Sequence, residues 1–352
     1  MKWKVKPLKN NRIVYMDVLR IFAVFSMMLL HVAGSLWSKT DVATADWQAF
    51  NIYDSFARFC VPVFIMLSGA MFLDNSREFS MKRVLKKNVL RLACAFVFWS
   101  LIYSVVMMCV TKNYTFEYWI ESFLCGRYHL WFVPAIIGLY LVTPFLRRIT
   151  ADKKLTEYFL LLWLIFCSVF GLLKRIPAVA DIANGVSSDF QMYFVTGYTG
   201  YFVLGFYLCS KELSPKSRKI IYALGILGFL ITAAATSVWS RSKGTPIKSL
   251  YNNFMPNVLL QSVAVMTFFR YEVSRIKWSE KQLKIITKIS ALSFGMYLFH
   301  DLINILFAQI GFTTLTYNAF LSVPCNTLIV FAISLAVTYG ISKIPYINRY
   351  II

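Results

Sequence analysis

The chain has 352 residues, 58% of them hydrophobic and 17% aromatic, with a mean hydropathy of +0.60. That profile excludes an ordinary soluble domain and fits a polytopic membrane protein. A formal net charge of +21 would point to nucleic acid in a soluble chain; here the basic residues flank apolar runs in alternating loops, so they read as topology signals and no nucleic-acid partner is expected.

The chain opens on a basic stretch, followed by an apolar run that is long enough to span a membrane and carries charges of its own, so no cleavable leader is expected. About ten spans follow, at 14–36, 52–73, 89–110, 130–146, 157–173, 194–210, 218–239, 254–269, 288–309 and 321–342, of which the fourth, sixth and eighth are short. Basic residues gather in the tail (Lys2, Lys4, Lys6, Lys9, Arg12) and in every second loop: Arg77 to Lys87, Arg147 to Lys154, Lys211 to Lys219, and Arg270 to Lys284. By the positive-inside rule both termini face the cytoplasm. The expectation is a single all-α, multi-pass integral-membrane domain over residues 1–352, embedded in the lipid bilayer. The seven cysteines, Cys60, Cys94, Cys109, Cys125, Cys167, Cys209 and Cys325, lie mostly within apolar runs and form no CxxC pair. They read as packed membrane thiols, and no metal is expected.

Histidine occurs only three times, as His31, His129 and His300, each within or at the edge of an apolar run. His31 follows Arg20 by eleven positions, which returns to within about 20° of the same helix face, about 16 Å further along. Asp17, three residues before Arg20, shares that side and can pair with it. An arginine at a helix centre costs about 2.5–3.5 kcal/mol on insertion scales, so this polar stripe calls for a function. Two plainer accounts stay open: an interfacial ion pair for Asp17 and Arg20, and an interhelical hydrogen bond for His31. With the N-terminus inside, His31, Arg58, His129 and His300 all fall in the outer half.

Five stretches in order carry a resemblance: Arg20 to His31 on the first span; Phe56 through Arg58 and Pro62 to Ser68 and Gly69; His129, Trp131 and Pro134, then Gly138, Tyr140 and Pro144; Gly200, Tyr201, Gly205 and Tyr207; and Ser293, Gly295, Tyr297 and His300. Together they resemble the membrane acyltransferase family 3, the integral-membrane O-acyltransferases of bacterial surface glycans, over residues 14 to about 340.

The resemblance implies a membrane-bound, acetyl-CoA-dependent O-acyltransferase of the bacterial inner membrane. It would move an acyl group from cytoplasmic acyl-CoA to a hydroxyl of an extracytoplasmic glycan or lipid-linked glycan. His31 suits the general base. Arg20, with Asp17, can hold the CoA arm; Arg58, His129 or His300 can stabilise the tetrahedral intermediate; Tyr297 shares the face of His300. Lys82, Arg83, Lys86, Lys87 and Arg91 read either as a topology anchor or as a site for the CoA phosphates. Arg91, just inside the apolar run, is the sharpest of these. The resemblance implies a basic motif near this point, although this chain carries lysines at some of its places. Trp131 reads as an interfacial anchor or a stacking platform. The competing class is a transporter or flippase of a glycan or small metabolite.

Overall fold

The computed structural model describes residues 13–345 and 347–352, and among these it contains helices and no strands. The basic tail, Lys2 to Arg12, lies outside the described residues. Fourteen helices follow in order: α1 Val14–Trp37, α2 Ala45–Ala57, α3 Cys60–Phe72, α4 Met81–Thr111, α5 Phe116–Cys125, α6 Phe132–Thr150, α7 Lys153–Leu173, α8 Ala180–Asp189, α9 Tyr198–Ser210, α10 Pro215–Lys243, α11 Pro256–Tyr271, α12 Glu280–Gln309, α13 Ala319–Ile341 and α14 Ile347–Tyr350. Eight helices, α2 and α3 together counting as one, are long and apolar enough to cross a membrane, and the chain is an all-α polytopic membrane protein.

The expected spans at 194–210 and 254–269 fall on α9, with 13 residues, and α11, with 16. At about 1.5 Å per residue neither covers a hydrocarbon core of about 30 Å. They are held instead by close packing, α9 on α3 and α11 on α10. A Cβ on Gly69 of α3 would run into the backbone carbonyl of Phe202, and one on Gly205 of α9 into that of Met66. Such small residues let helix backbones touch where lipid supplies no hydrophobic driving force.

The expected span at 52–73 is divided at Arg58 and Phe59. Pro62 has no N–H to give the carbonyl four residues earlier, that of Arg58, so the helical ladder lacks a bond at this break. Two other helices carry π-helical turns, at Val84–Val89 in α4 and Leu164–Val169 in α7. The first lies where the basic cluster meets the apolar run. Helix starts follow ordinary capping chemistry: Thr44, Thr115, Asp152 and Ser214 each accept an N–H of the first turn, and Ser279 with Gln282 forms a capping box on α12.

Helix α1 is central, packing on α2, α3, α12 and α13. It divides the interior into two apolar cores, one around Trp37, Trp47, Tyr103 and Leu298, the other around Leu19, Met66, Tyr201 and Phe206. The seven cysteines are free thiols; Cys109, Cys125 and Cys325 are exposed rather than packed inside.

Candidate functional site

The three histidines converge. His31 comes from the C-terminal half of α1, His300 from the C-terminal half of α12, and His129 from the turn before α6. The ring centroids of His31 and His300 are 4.9 Å apart, those of His129 and His300 4.9 Å, and those of His31 and His129 6.2 Å. The sequence placed them at one depth; the packing of α1 on α12 brings them into one cluster.

Hydrogen bonding fixes the tautomers of His300 and His31. His300 Nδ1 lies 2.7 Å from the backbone carbonyl of Tyr297. A carbonyl only accepts, so Nδ1 carries the proton, and in the neutral ring Nε2 is left as an acceptor. His31 Nδ1, 2.7 Å from that Nε2, therefore donates. The proton of neutral His31 is committed to Nδ1, and its Nε2 keeps a lone pair. This orientation of one imidazole by a second acceptor is the logic by which a general base is held in its working tautomer.

His129 is 2% exposed, and neither ring nitrogen has a hydrogen-bond partner among the described residues. The rings of Tyr103, Tyr297 and His300 surround it edge-on. Its turn is fastened to α12 at three points. Tyr297 donates its hydroxyl to the His129 carbonyl at 2.6 Å. Arg127 Nε donates to Asp301 at 2.6 Å, and Tyr128 donates its hydroxyl to the other oxygen of that carboxylate at 3.0 Å. Asp301 thus orients the turn that carries His129 and does not bind the ring of His300.

Toward the other end of α1, Asp17 accepts from Ser290 at 2.6 Å and from Arg20 at 3.3 Å, while Arg20 also donates to Ser290 at 3.0 Å. The stripe read on α1 is therefore tied to α12 at both ends.

A cavity of about 410 Å³ runs between these groups. Arg20, Met27 and His31 line it from α1; Phe64, Leu67 and Ser68 from α3; and His129, Trp131 and Tyr297 near the cluster. At its far end lie Asn88, Arg91 and Ser290. Asn88 and Arg91 also line a second cavity, of about 770 Å³, whose walls include Lys82, Arg83, Lys86 and Lys87. All five basic residues singled out from the sequence border one pocket, and that pocket adjoins the histidine cavity at Arg91.

Other residues singled out from the sequence take different places. Arg58 does not line the cavity: its guanidinium pairs with Asp54, one turn earlier, and lies 4.1 Å over the ring of Tyr251. The break before Pro62 leaves it at the end of α2, turned toward α2's own carboxylate. Trp131 borders the cavity and stacks on Tyr198, with ring centroids 5.4 Å apart. The sequence reading passed over Asn88 and Ser290, which are uncharged, and did not pair Arg127 and Tyr128 with Asp301. Their signal was the cost of leaving Asp301 unpaired in an apolar run.

Among known families, the acyltransferase-domain model of acyltransferase family 3 matches residues 13–343. No curated protein and no solved structure matches the chain.

Proposed function

Because this chain belongs to acyltransferase family 3, we propose that it moves an acyl group, acetyl in the simplest case, from acyl-CoA to a hydroxyl on the other side of the membrane. The family supports acyl transfer in general over the transporter reading; donor, acceptor and residue roles are our reading of the site. The observation that carries it is one cavity with two chemically different ends, basic at Arg91 and histidine-lined at His31.

The CoA phosphates bind Lys82, Arg83, Lys86, Lys87 and Arg91, which offer charge-assisted donors. The thioester arm lies along the cavity past Arg20, which Asp17 and Ser290 hold in place. The acceptor hydroxyl meets His31 Nε2. As its oxygen attacks the thioester carbonyl carbon, Nε2 takes the hydroxyl proton. The resulting imidazolium still donates from Nδ1 to His300. The carbonyl oxygen becomes an oxyanion, for which an N–H of the unpartnered His129 ring is a donor in a site of low dielectric. The C–S bond then breaks, and the His31 proton passes to the departing thiolate, leaving an ester and free CoA thiol. Tyr297 positions His129 and, through its carbonyl, His300.

The basic end faces the cytoplasm of a bacterial inner membrane in this proposal, with both termini on that side. The acceptor is a surface or lipid-linked glycan. The test is thiol release from acetyl-CoA by purified protein in nanodiscs, wild type beside His31→Ala and Arg20→Ala. Release that vanishes in folded His31→Ala supports the assignment. Turnover equal to wild type removes His31 from the chemistry.

A further inference from the structure

Residues 347–352 lie beyond the family-matched region and beyond α13, yet Asn348 and Tyr350 border the basic pocket. Asn348 and Tyr350 line it beside Lys82, Arg83, Lys86 and Lys87. Ile352 is 6% exposed and meets α12 where a Cβ on Gly295 would press on its side chain. Two contacts fix this segment to α4. Trp99 Nε1 donates to the Ile351 carbonyl at 2.9 Å. Arg91 donates to the Ile352 carbonyl from Nε at 3.0 Å and from Nη2 at 2.5 Å. Arg91 is the charged residue common to both cavities, so the side chain at their junction is oriented by this segment. Its guanidinium also lies 5.6 Å from the centroid of the Phe294 ring in the cavity wall.

From this placement we infer that residues 347–352 form a wall of the donor site and recognise the nucleotide end of the acyl-CoA. Tyr350 supplies a ring against which the adenine stacks, and Asn348 an amide that can both donate to and accept from a base edge. The lysines and arginines answer to the phosphates, which many anions carry. Tyr350 and Asn348 answer to the base. The segment also holds Arg91 at the seam where the pantetheine arm leaves the basic pocket. The inference rests on the basic pocket being the acyl-CoA site.

The experiment compares acetyl-CoA with S-acetyl-pantetheine, which has the same thioester and no nucleotide. The ratio of kcat/KM for the two donors is measured in wild type, Asn348→Ala/Tyr350→Ala and Trp99→Phe. The double variant is expected to lower the acetyl-CoA preference by about tenfold, the worth of one base–aromatic stack. Trp99→Phe keeps a ring in the core and loses only the donor to Ile351, and it should shift the ratio the same way by a smaller factor. Equal losses for both donors, or an unmoved ratio, would overturn the inference while leaving the donor site standing. A wild type that prefers S-acetyl-pantetheine, or turns over neither donor, would remove the donor reading and this inference together.

Discussion

Replacing His300 with phenylalanine keeps a ring of similar shape between Tyr297 and His31 and removes the acceptor for His31 Nδ1–H. In the resting site that hydrogen bond, 2.7 Å long, selects the tautomer that leaves Nε2 basic. In the tetrahedral intermediate His31 is a cation, and the same bond becomes charge-assisted, worth about 1.5–3 kcal/mol. At about 1.36 kcal/mol per decade, His300→Phe should lower kcat about 10- to 150-fold. His31→Ala, which removes the base itself, should cost about 10²–10⁴-fold. The assay is thiol release from acetyl-CoA in the presence of acceptor, with donor affinity measured separately by equilibrium binding. His300 does not line the cavity and bears on it through His31, so the loss should appear in kcat. His300→Gln, whose amide oxygen can take the His31 proton donor, should recover part of the rate. A His300→Phe enzyme as fast as wild type, or one whose whole defect is weakened donor binding, would refute the relay.

Three further expectations test the surrounding structure. Lys86→Ala/Lys87→Ala should weaken acetyl-CoA binding by about tenfold at low salt, and high salt should shrink the difference, because exposed charges are screened; calorimetric titration at two ionic strengths checks this. Asp301→Asn strips the partner from Arg127 in a largely buried pair and should cost about 3 kcal/mol, seen as a lower unfolding temperature in detergent; an unchanged midpoint would mean that the His129 turn is not fastened through Asp301. Gly69→Val, which drives side-chain atoms into the Phe202 backbone, should destabilise by at least about 1–3 kcal/mol. Gly138→Ala, with nothing within 4 Å of the added methyl, is its silent counterpart.

The sequence carried the depth of each polar residue but not its bearing. Depth follows from counting residues along a span whose ends are marked by charge, so His31, His129 and His300 could be set level. Their lateral meeting depends on α1 packing against α12, across a separation of 269 residues, which no local period encodes. Arg58 shows the opposite case. Its partner Asp54, four residues earlier, was in plain view as a same-face pair, and Pro62 marked the break that turned both away from the cavity. The basic cluster was legible because five cations lie close together in the chain. The placement of Asn348 and Tyr350 at that pocket was not, because a short segment after α13 shows neither periodicity nor charge pattern enough to place it.

The reciprocal seating of Gly69 on Phe202 and Gly205 on Met66 has a mechanical consequence. Backbone lies on backbone, so no layer of rotatable side chains is available there to yield. Leu67 and Ser68, which line the cavity from α3, therefore belong to an unyielding abutment formed by α3 and α9 together. The facing boundary, by contrast, includes the side chains of Leu92 and Phe294 on α4 and α12. A change in the width of the cavity would therefore fall to those side chains, which can change rotamer, and not to α3.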